Sequence, residues 1–302
     1  MEKIQSAIAK ARAIRAAEQR PVEPVAVTPP LTESAAPISA LVPPPKPKPE
    51  PEPRRAPAEG VIADSVARAW ADMPTLKIRP RLLERYRVTS YESGPGAAEI
   101  DNLRTRLLQQ MRANGWRRVA ITSPGPNCGK SVLAMNLGFS LARQSDQRTL
   151  VAEIDLRRPS IARALGISGR ETFARVLEGM GRVEDCAVRA GPHLAFLTNT
   201  GPTRHSAELL QSARTRDILE TIDARYAPTV FLFDLPPMTA GDDAMAFADR
   251  VDCVLIVAGA GTTTAAEIDV CERDLASQTN VLGVVLNKCR YMPAESGYGS
   301  YS

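Results

Sequence analysis

From about residue 97 the chain alternates short apolar stretches with amphipathic ones, and few folds accommodate that order. Six stretches read as strands: 118–122, 149–154, 194–199, 230–233, 253–258 and 281–286. The intervening 132–143, 207–224 and 264–276 have helical spacing, as does the stripe Ile100, Leu103, Leu107 and Met111, which stops at Asn114-Gly115, a helix C-cap signal. A strand that is apolar along its whole length must be buried on both faces, so the pattern predicts a mostly parallel sheet covered by helices on each side. Right-handed crossovers then give a doubly wound α/β domain. No internal repeat is present.

The first third of the chain reads differently. Thirteen of the 25 prolines lie between residues 21 and 57, a stretch that cannot bury a core and reads as a disordered linker leaning to polyproline II. Before it, Ile4, Ala7, Ile8, Ala11 and Ile14 recur at helical spacing opposite Lys3, Lys10, Arg12 and Arg15, so residues 1–20 read as a short amphipathic helix. So short a helix is marginal alone in water; a solvated tail, docking to a protein partner and lying on an anionic membrane all fit it. The expected organisation is helix 1–20, linker 21–60, transitional segment 61–96, α/β domain 97–290 and tail 291–302. Arg79, Arg81, Arg85 and Arg87 in the transitional segment read as a solvated face.

Charge and cysteine usage bound the function. A net charge of +4 is too mild to imply nucleic-acid binding. The five cysteines include no Cys-x-x-Cys and have no nearby His, which argues against a disulfide framework or a zinc site and suits a reducing compartment. The longest apolar run, 254–260, fits a buried strand, and the N-terminus lacks the apolar core of a signal peptide. A soluble cytoplasmic protein with no transmembrane segment of its own is expected.

Ser123-Pro-Gly-Pro-Asn-Cys-Gly-Lys130-Ser131 directly follows a strand and directly precedes a helix, the context that makes a phosphate-binding P-loop of a short pattern. Backbone N–H groups of Gly125, Pro126, Asn127, Cys128, Gly129, Lys130, Ser131 and Val132, the proline excepted, would cradle phosphate oxygens. Lys130 would reach the β- and γ-phosphates of ATP, and the Ser131 hydroxyl would ligate Mg²⁺. Cys128 stands beside a helix N-terminus, but a passive small residue suits it better than a reactive thiol. Strand 230–233 delivers Asp234 to the carboxyl edge of the sheet, where a carboxylate can hold a magnesium-bound water. Glu153 and Asp155 end another strand two residues apart, hence on one face; such a pair suits metal positioning and proton abstraction.

Three motifs in this order, Gly129-Lys130-Ser131, then acid-x-Asp155-Leu156-Arg157-Arg158-Pro159, then apolar strand-Asp234-x-Pro236-Pro237, resemble those of the bacterial tyrosine kinases. These are P-loop ATPases that act with polysaccharide export machinery. The likeness covers about residues 97–290 and includes Leu103-Arg104-Thr105, Gly201-Pro202-Thr203, Ala207-Glu208-Leu209-Leu210 and Gly283-Val284-Val285-Leu286-Asn287. It implies an ATP- and Mg²⁺-dependent tyrosine autokinase working with a membrane-bound polysaccharide co-polymerase, hence peripheral to the inner membrane, and modifying copies of itself. Lys130 and Ser131 would bind phosphate and magnesium, with Asp155 the general base and also a magnesium neighbour. Asp234 would coordinate magnesium through water, Asn287 would contact adenine, and Tyr291, Tyr298 and Tyr301 would be the autophosphorylated cluster. The chain departs from the family pattern at Asn127-Cys128, where Gly-Glu is usual, and at Glu153, where Asp is usual. It departs too at Ala98 and Asp101, where the oligomerisation motif Glu-x-x-Arg-x-x-Arg keeps only Arg104. A Min/Par-like ATPase switch and a nucleotide-binding adaptor without turnover are the other readings.

Overall fold

The computed structural model describes residues 59–169 and 171–289. Among them run strands β1 (Arg118–Thr122), β2 (Thr149–Glu153), β3 (Ala187–Arg189), β4 (Leu194–Leu197), β5 (Val230–Asp234), β6 (Cys253–Gly259) and β7 (Asn280–Asn287). They form one sheet in the order β3-β4-β2-β5-β1-β6-β7, parallel throughout except for β3 against β4. The helices are α1 (Glu59–Ala71), α2 (Pro80–Arg85), α3 (Ala98–Asn114), α4 (Lys130–Ala142), α5 (Ile161–Leu165) and α6 (Phe173–Leu177), then α7 (Val183–Cys186), α8 (Ser206–Gln211), α9 (Ala213–Tyr226), α10 (Asp243–Ala248) and α11 (Ala265–Ala276).

Both faces of the sheet are buried along β1, β2, β4, β5 and β6, as fully apolar strands require, while the edge strand β7 is partly exposed. Phe231 and Phe233 of β5 belong to one core, and the alternate residues Val230 and Leu232 to the other. Strand β2 divides likewise, Leu150 and Ala152 on one side and Val151 on the other. Each such side chain contributes about 1.5–3 kcal/mol on burial. The six expected strands and the helices around them are present, α3 closing on Gly115 in the left-handed conformation (φ 69°) and α11 opening with a Thr264–Glu267 capping box.

Three features differ from expectation. The segment 61–96 is part of the domain rather than a transition into it. Val66, Trp70 and Met73 fill one core, with the Trp70 indole N–H donating to the Tyr226 carbonyl at 2.8 Å, while Leu83 and Val88 fill the other. The single helix expected over 207–224 breaks at Ser212, whose extended backbone and side chain, accepting from the Thr215 N–H at 3.1 Å, start α9 afresh. Strand β3 is three residues long, too short to carry a periodic signal. Arg79, Arg81, Arg85 and Arg87 are exposed, the solvated face expected of them. No helix among the described residues is long and apolar enough to cross a membrane. The amphipathic segment 1–20, the proline-rich 21–58 and the tyrosines Tyr291, Tyr298 and Tyr301 lie outside the described residues.

Candidate active site

The central strands β1, β5 and β2 end side by side at the carboxyl edge, and their ends are stitched together. The Leu235 N–H donates to the Ile121 carbonyl, the Ile154 and Asp155 N–H groups donate to the Asp234 carbonyl, and the Thr122 hydroxyl donates to the Pro236 carbonyl. The loop from Ser123 leaves β1 at this point and turns into α4. Asn127 (φ 62°) and Gly129 (φ 96°) are left-handed. At position 129 glycine is required twice over, since a Cβ would also lie 2.3 Å from the Asn287 side-chain amide. Pro124 stands where the strict motif has glycine, is buried, and uses only its carbonyl, which accepts from the Thr239 N–H.

Lys130 opens α4 and is only 7% exposed, yet its ammonium makes no hydrogen bond or ion pair among the described residues. A buried ammonium without a hydrogen bond is costly, and a phosphate group removes that cost. Asp234 is fully buried, and neither of its carboxylate oxygens accepts a hydrogen bond of good geometry. Burial pushes its pKa up to about 6, against the pull of the Lys130 ammonium and the Ser131 hydroxyl, both close enough to favour its charged form. A buried cation, a hydroxyl and a carboxylate with spare lone pairs form a donor set that fits a magnesium–phosphate pair.

The two acids on β2 do not act as a pair. Past Glu153 the chain turns, and only Asp155 faces the loop, its Oδ1 accepting from the Arg158 N–H at 3.0 Å. Glu153 is wholly buried, in register with Asp234 on β5. Its Oε1 accepts from the Ser160 and Ile161 N–H groups at 2.5 and 2.7 Å, and its Oε2 from the Asn199 N–H at 2.9 Å. Burial raises its pKa to about 7 although these three N–H groups favour the carboxylate. Glu153, expected in metal positioning or proton transfer, is thus held by backbone donors and does not line the cavity that Asp155 lines. The alternation itself continues, with Leu150, Ala152, Ile154 and Leu156 all in one core, and what sets Glu153 apart is that backbone donors take its oxygens.

A cavity of about 730 Å³ opens in front of the loop, lined by Pro126, Asn127, Gly129, Lys130, Ser131 and Val132 on one side and by Asp155, Arg157, Arg158 and Arg163 on another. Gly125 lies at the start of the loop, outside that lining. The Cys128 thiol points away, buried, donating to the Gly125 carbonyl at 3.3 Å and lying 3.5 Å from the Thr263 hydroxyl, a passive packing role. Asn287 touches the loop from β7, its side-chain N–H donating to the Cys128 carbonyl at 2.9 Å, and the neighbouring Lys288 ammonium donates to the Asn127 carbonyl. Arg157 is committed to structure, bidentate on buried Asp243, which also accepts from the Ser206 hydroxyl at 2.6 Å. Sequence reasoning missed Tyr86 and Arg163 on the cavity wall and Asn199 and Asp243 behind it. The Asp242-Asp243 pair following Gly241 was the available signal for the last of these.

No family model matches the chain. Tyrosine-protein kinase YwqD of Bacillus subtilis is 30% identical over 188 residues, 61% of this chain and 77% of YwqD. EpsB of Ralstonia nicotianae is 30% identical over 209 residues, 68% of this chain. The succinoglycan biosynthesis transport protein ExoP of Rhizobium meliloti is 32% identical over 197 residues, 64% of this chain. The chain spans only about a quarter of the length of these two, 27% of EpsB and 25% of ExoP. Among solved structures, the kinase domain of Escherichia coli tyrosine kinase Etk superposes with a TM-score of 0.61 at 26% identity, covering 69% of this chain and 82% of that domain. The glycine-lysine-serine loop, the acid-bearing strand ends and these likenesses agree, and the chain belongs to the bacterial tyrosine-protein kinase family.

Proposed function

We propose that this chain binds Mg·ATP on the loop 125–132 and transfers the γ-phosphoryl group to tyrosine hydroxyls, those of its own Tyr291, Tyr298 and Tyr301 included. The observation that carries the reading is Lys130, a buried, unpaired ammonium beside a buried, unbonded Asp234, with Asp155 opening on the same cavity. Lys130 holds the transferred phosphate, and Ser131 and Asp234 hold the magnesium, which neutralises charge on the phosphates. Asp155 takes the tyrosine proton. Its Oδ1 is occupied by the Arg158 N–H, which leaves Oδ2 for the phenol. The phenolic oxygen bonds to phosphorus as the bond to the β-phosphate oxygen breaks, and ADP leaves. Arg158 and Arg163 line the acceptor side and suit a negatively charged acceptor segment. Asn287 contacts the adenine.

The name of ExoP ties that relative to succinoglycan biosynthesis and transport. We place this chain in the same setting, as a kinase peripheral to the inner membrane that works with a separate membrane-bound co-polymerase. Segment 1–20 is its docking segment and the proline-rich stretch its spacer. The test is direct: full-length protein with Mg·ATP, with and without a candidate activator, probed for phosphotyrosine. Lys130→Met is expected to weaken nucleotide binding by at least ~10-fold, the equivalent of a charge-assisted contact of about 1.5–3 kcal/mol. Unchanged affinity in a folded Lys130→Met protein refutes the site. ATP hydrolysis with no labelled tyrosine favours a Min/Par-like switch instead.

A further inference from the structure

A second cavity of about 730 Å³ lies on the other flank of the loop, lined by Arg87, Asn127, Gly129, Val132, Lys288 and Cys289. Its walls carry concentrated backbone strain. Five non-glycine residues among those described have positive φ, and three of them, Arg87 (60°), Asn127 (62°) and Lys288 (62°), line this one cavity. Non-glycine residues in this region persist only when their surroundings hold them there. For Arg87 the holder is Asn136 on α4, the helix that begins at Lys130. The Asn136 side-chain N–H donates to the Arg87 carbonyl at 3.0 Å, and its oxygen accepts from the Thr89 and Ser90 N–H groups at 2.9 and 3.0 Å. Asn136 is buried, as are Val88 and Ser90, so the backbone at 87–90 is fixed against the helix that carries the phosphate loop.

What this clamp presents is a cation, the Arg87 guanidinium, with no hydrogen-bond or ion-pair partner among the described residues, whereas the Lys288 ammonium is spent on the Asn127 carbonyl. The two cavities share Asn127, Gly129 and Val132 but divide the chemistry. Lys130, Ser131 and Asp155, the groups suited to phosphates and metal, open on the first. The second offers alkyl stems, a valine and one planar cation, a lining that suits a flat heteroaromatic ring with its sugar. A guanidinium stacks on such a ring, which an ammonium cannot do.

We infer that Arg87, from the segment upstream of the region that resembles the family, is a nucleoside-binding residue whose guanidinium stacks on the base of the nucleotide held by the loop. This rests on the nucleotide reading above. The substitution Arg87→Gly tests it cleanly, because glycine adopts a φ of 60° without strain and leaves the carbonyl on Asn136 in place. The full-length protein and its Arg87→Gly and Arg87→Lys variants are titrated by calorimetry with Mg·ADP and with magnesium tripolyphosphate, which has no nucleoside. The expected result is Mg·ADP affinity about 10-fold weaker in Arg87→Gly and not restored in Arg87→Lys. Tripolyphosphate affinity should stay at the wild-type value in both, with an unchanged or raised Tm for the ligand-free Arg87→Gly protein. Wild-type Mg·ADP affinity in Arg87→Gly overturns the inference and leaves the nucleotide reading standing. Parallel losses for both ligands, restored by Lys, overturn it in favour of a plain phosphate contact. Failure of the wild-type protein to bind either ligand overturns the nucleotide reading itself, and the inference with it.

Discussion

Replacing Glu153 by glutamine separates a positioning role from a chemical one. The buried carboxylate takes two N–H groups of the Ser160–Ile161 turn on one oxygen and the Asn199 N–H on the other. An amide has one oxygen. If that oxygen keeps the Ser160 and Ile161 donors, the amide nitrogen faces the Asn199 N–H, donor against donor, and one buried N–H goes unsatisfied at about 1–3 kcal/mol. The two surviving bonds lose their charge assistance, about 1 kcal/mol each. Against this, a neutral amide escapes the burial cost that lifts the Glu153 pKa from 4.5 to about 7, about 3 kcal/mol, so the net loss is at most about 2 kcal/mol. For a domain of this size that lowers Tm by no more than roughly 8 °C. The turn at Ser160 closes the loop that starts at Asp155, so kcat for phosphotransfer should fall while the Kd for Mg·ADP stays near wild type. Glu153→Asp, although it restores the residue usual in the family, is too short to span all three donors and should also lose stability. Scanning calorimetry and a phosphotyrosine assay decide the matter. A Glu153→Gln protein with wild-type Tm and wild-type kcat refutes the argument. One with wild-type Tm and no activity returns Glu153 to the chemistry.

Three further outcomes are expected. Asp155→Asn should keep nucleotide affinity while lowering phosphotyrosine formation by about 10²-fold or more, checked by calorimetry and immunoblot. The Asp234 pKa is raised by burial to about 6, above the unfolded value of 3.8, so its contribution to stability is complete below pH 3.8 and lost as pH rises through 6. The ligand-free protein should therefore gain up to about 3 kcal/mol from this group between pH 7.5 and 4. Stabilisation by Mg·ADP, which needs the carboxylate, should shrink below pH 6; thermal melts at pH 5.0 and 7.5, with and without Mg·ADP, read both signs. Ile4→Asp with Ile8→Asp should leave nucleotide binding intact and cut co-polymerase association and polymer length in cells, as pull-down and polymer sizing would report.

The sheet and the loop were legible because each rests on a local signal. Val230 to Phe233 is apolar at every position, which only a two-sided burial satisfies, and Gly129-Lys130-Ser131 sits where such a strand must meet a helix. What stayed hidden depended on contacts between distant residues. The surroundings of Glu153 are set by donors from Ser160, Ile161 and Asn199, 7, 8 and 46 residues away. No spacing rule carries that information: the period of two puts Glu153 and Asp155 on one side and is silent on which donors take their oxygens. The segment 61–96 was hidden for a related reason. Trp70 finds its partner at the Tyr226 carbonyl, 156 residues on, and Asn136 reaches back to Arg87, Thr89 and Ser90. A polar residue within an apolar helix was the trace this left in the sequence. Asn136 interrupts the run from Val132 to Leu141, and a buried amide there had to bind something. The element it binds forms a wall of both cavities, through Arg87 in one and Tyr86 in the other. The role we infer for Arg87 would follow from the same packing that made the segment unreadable.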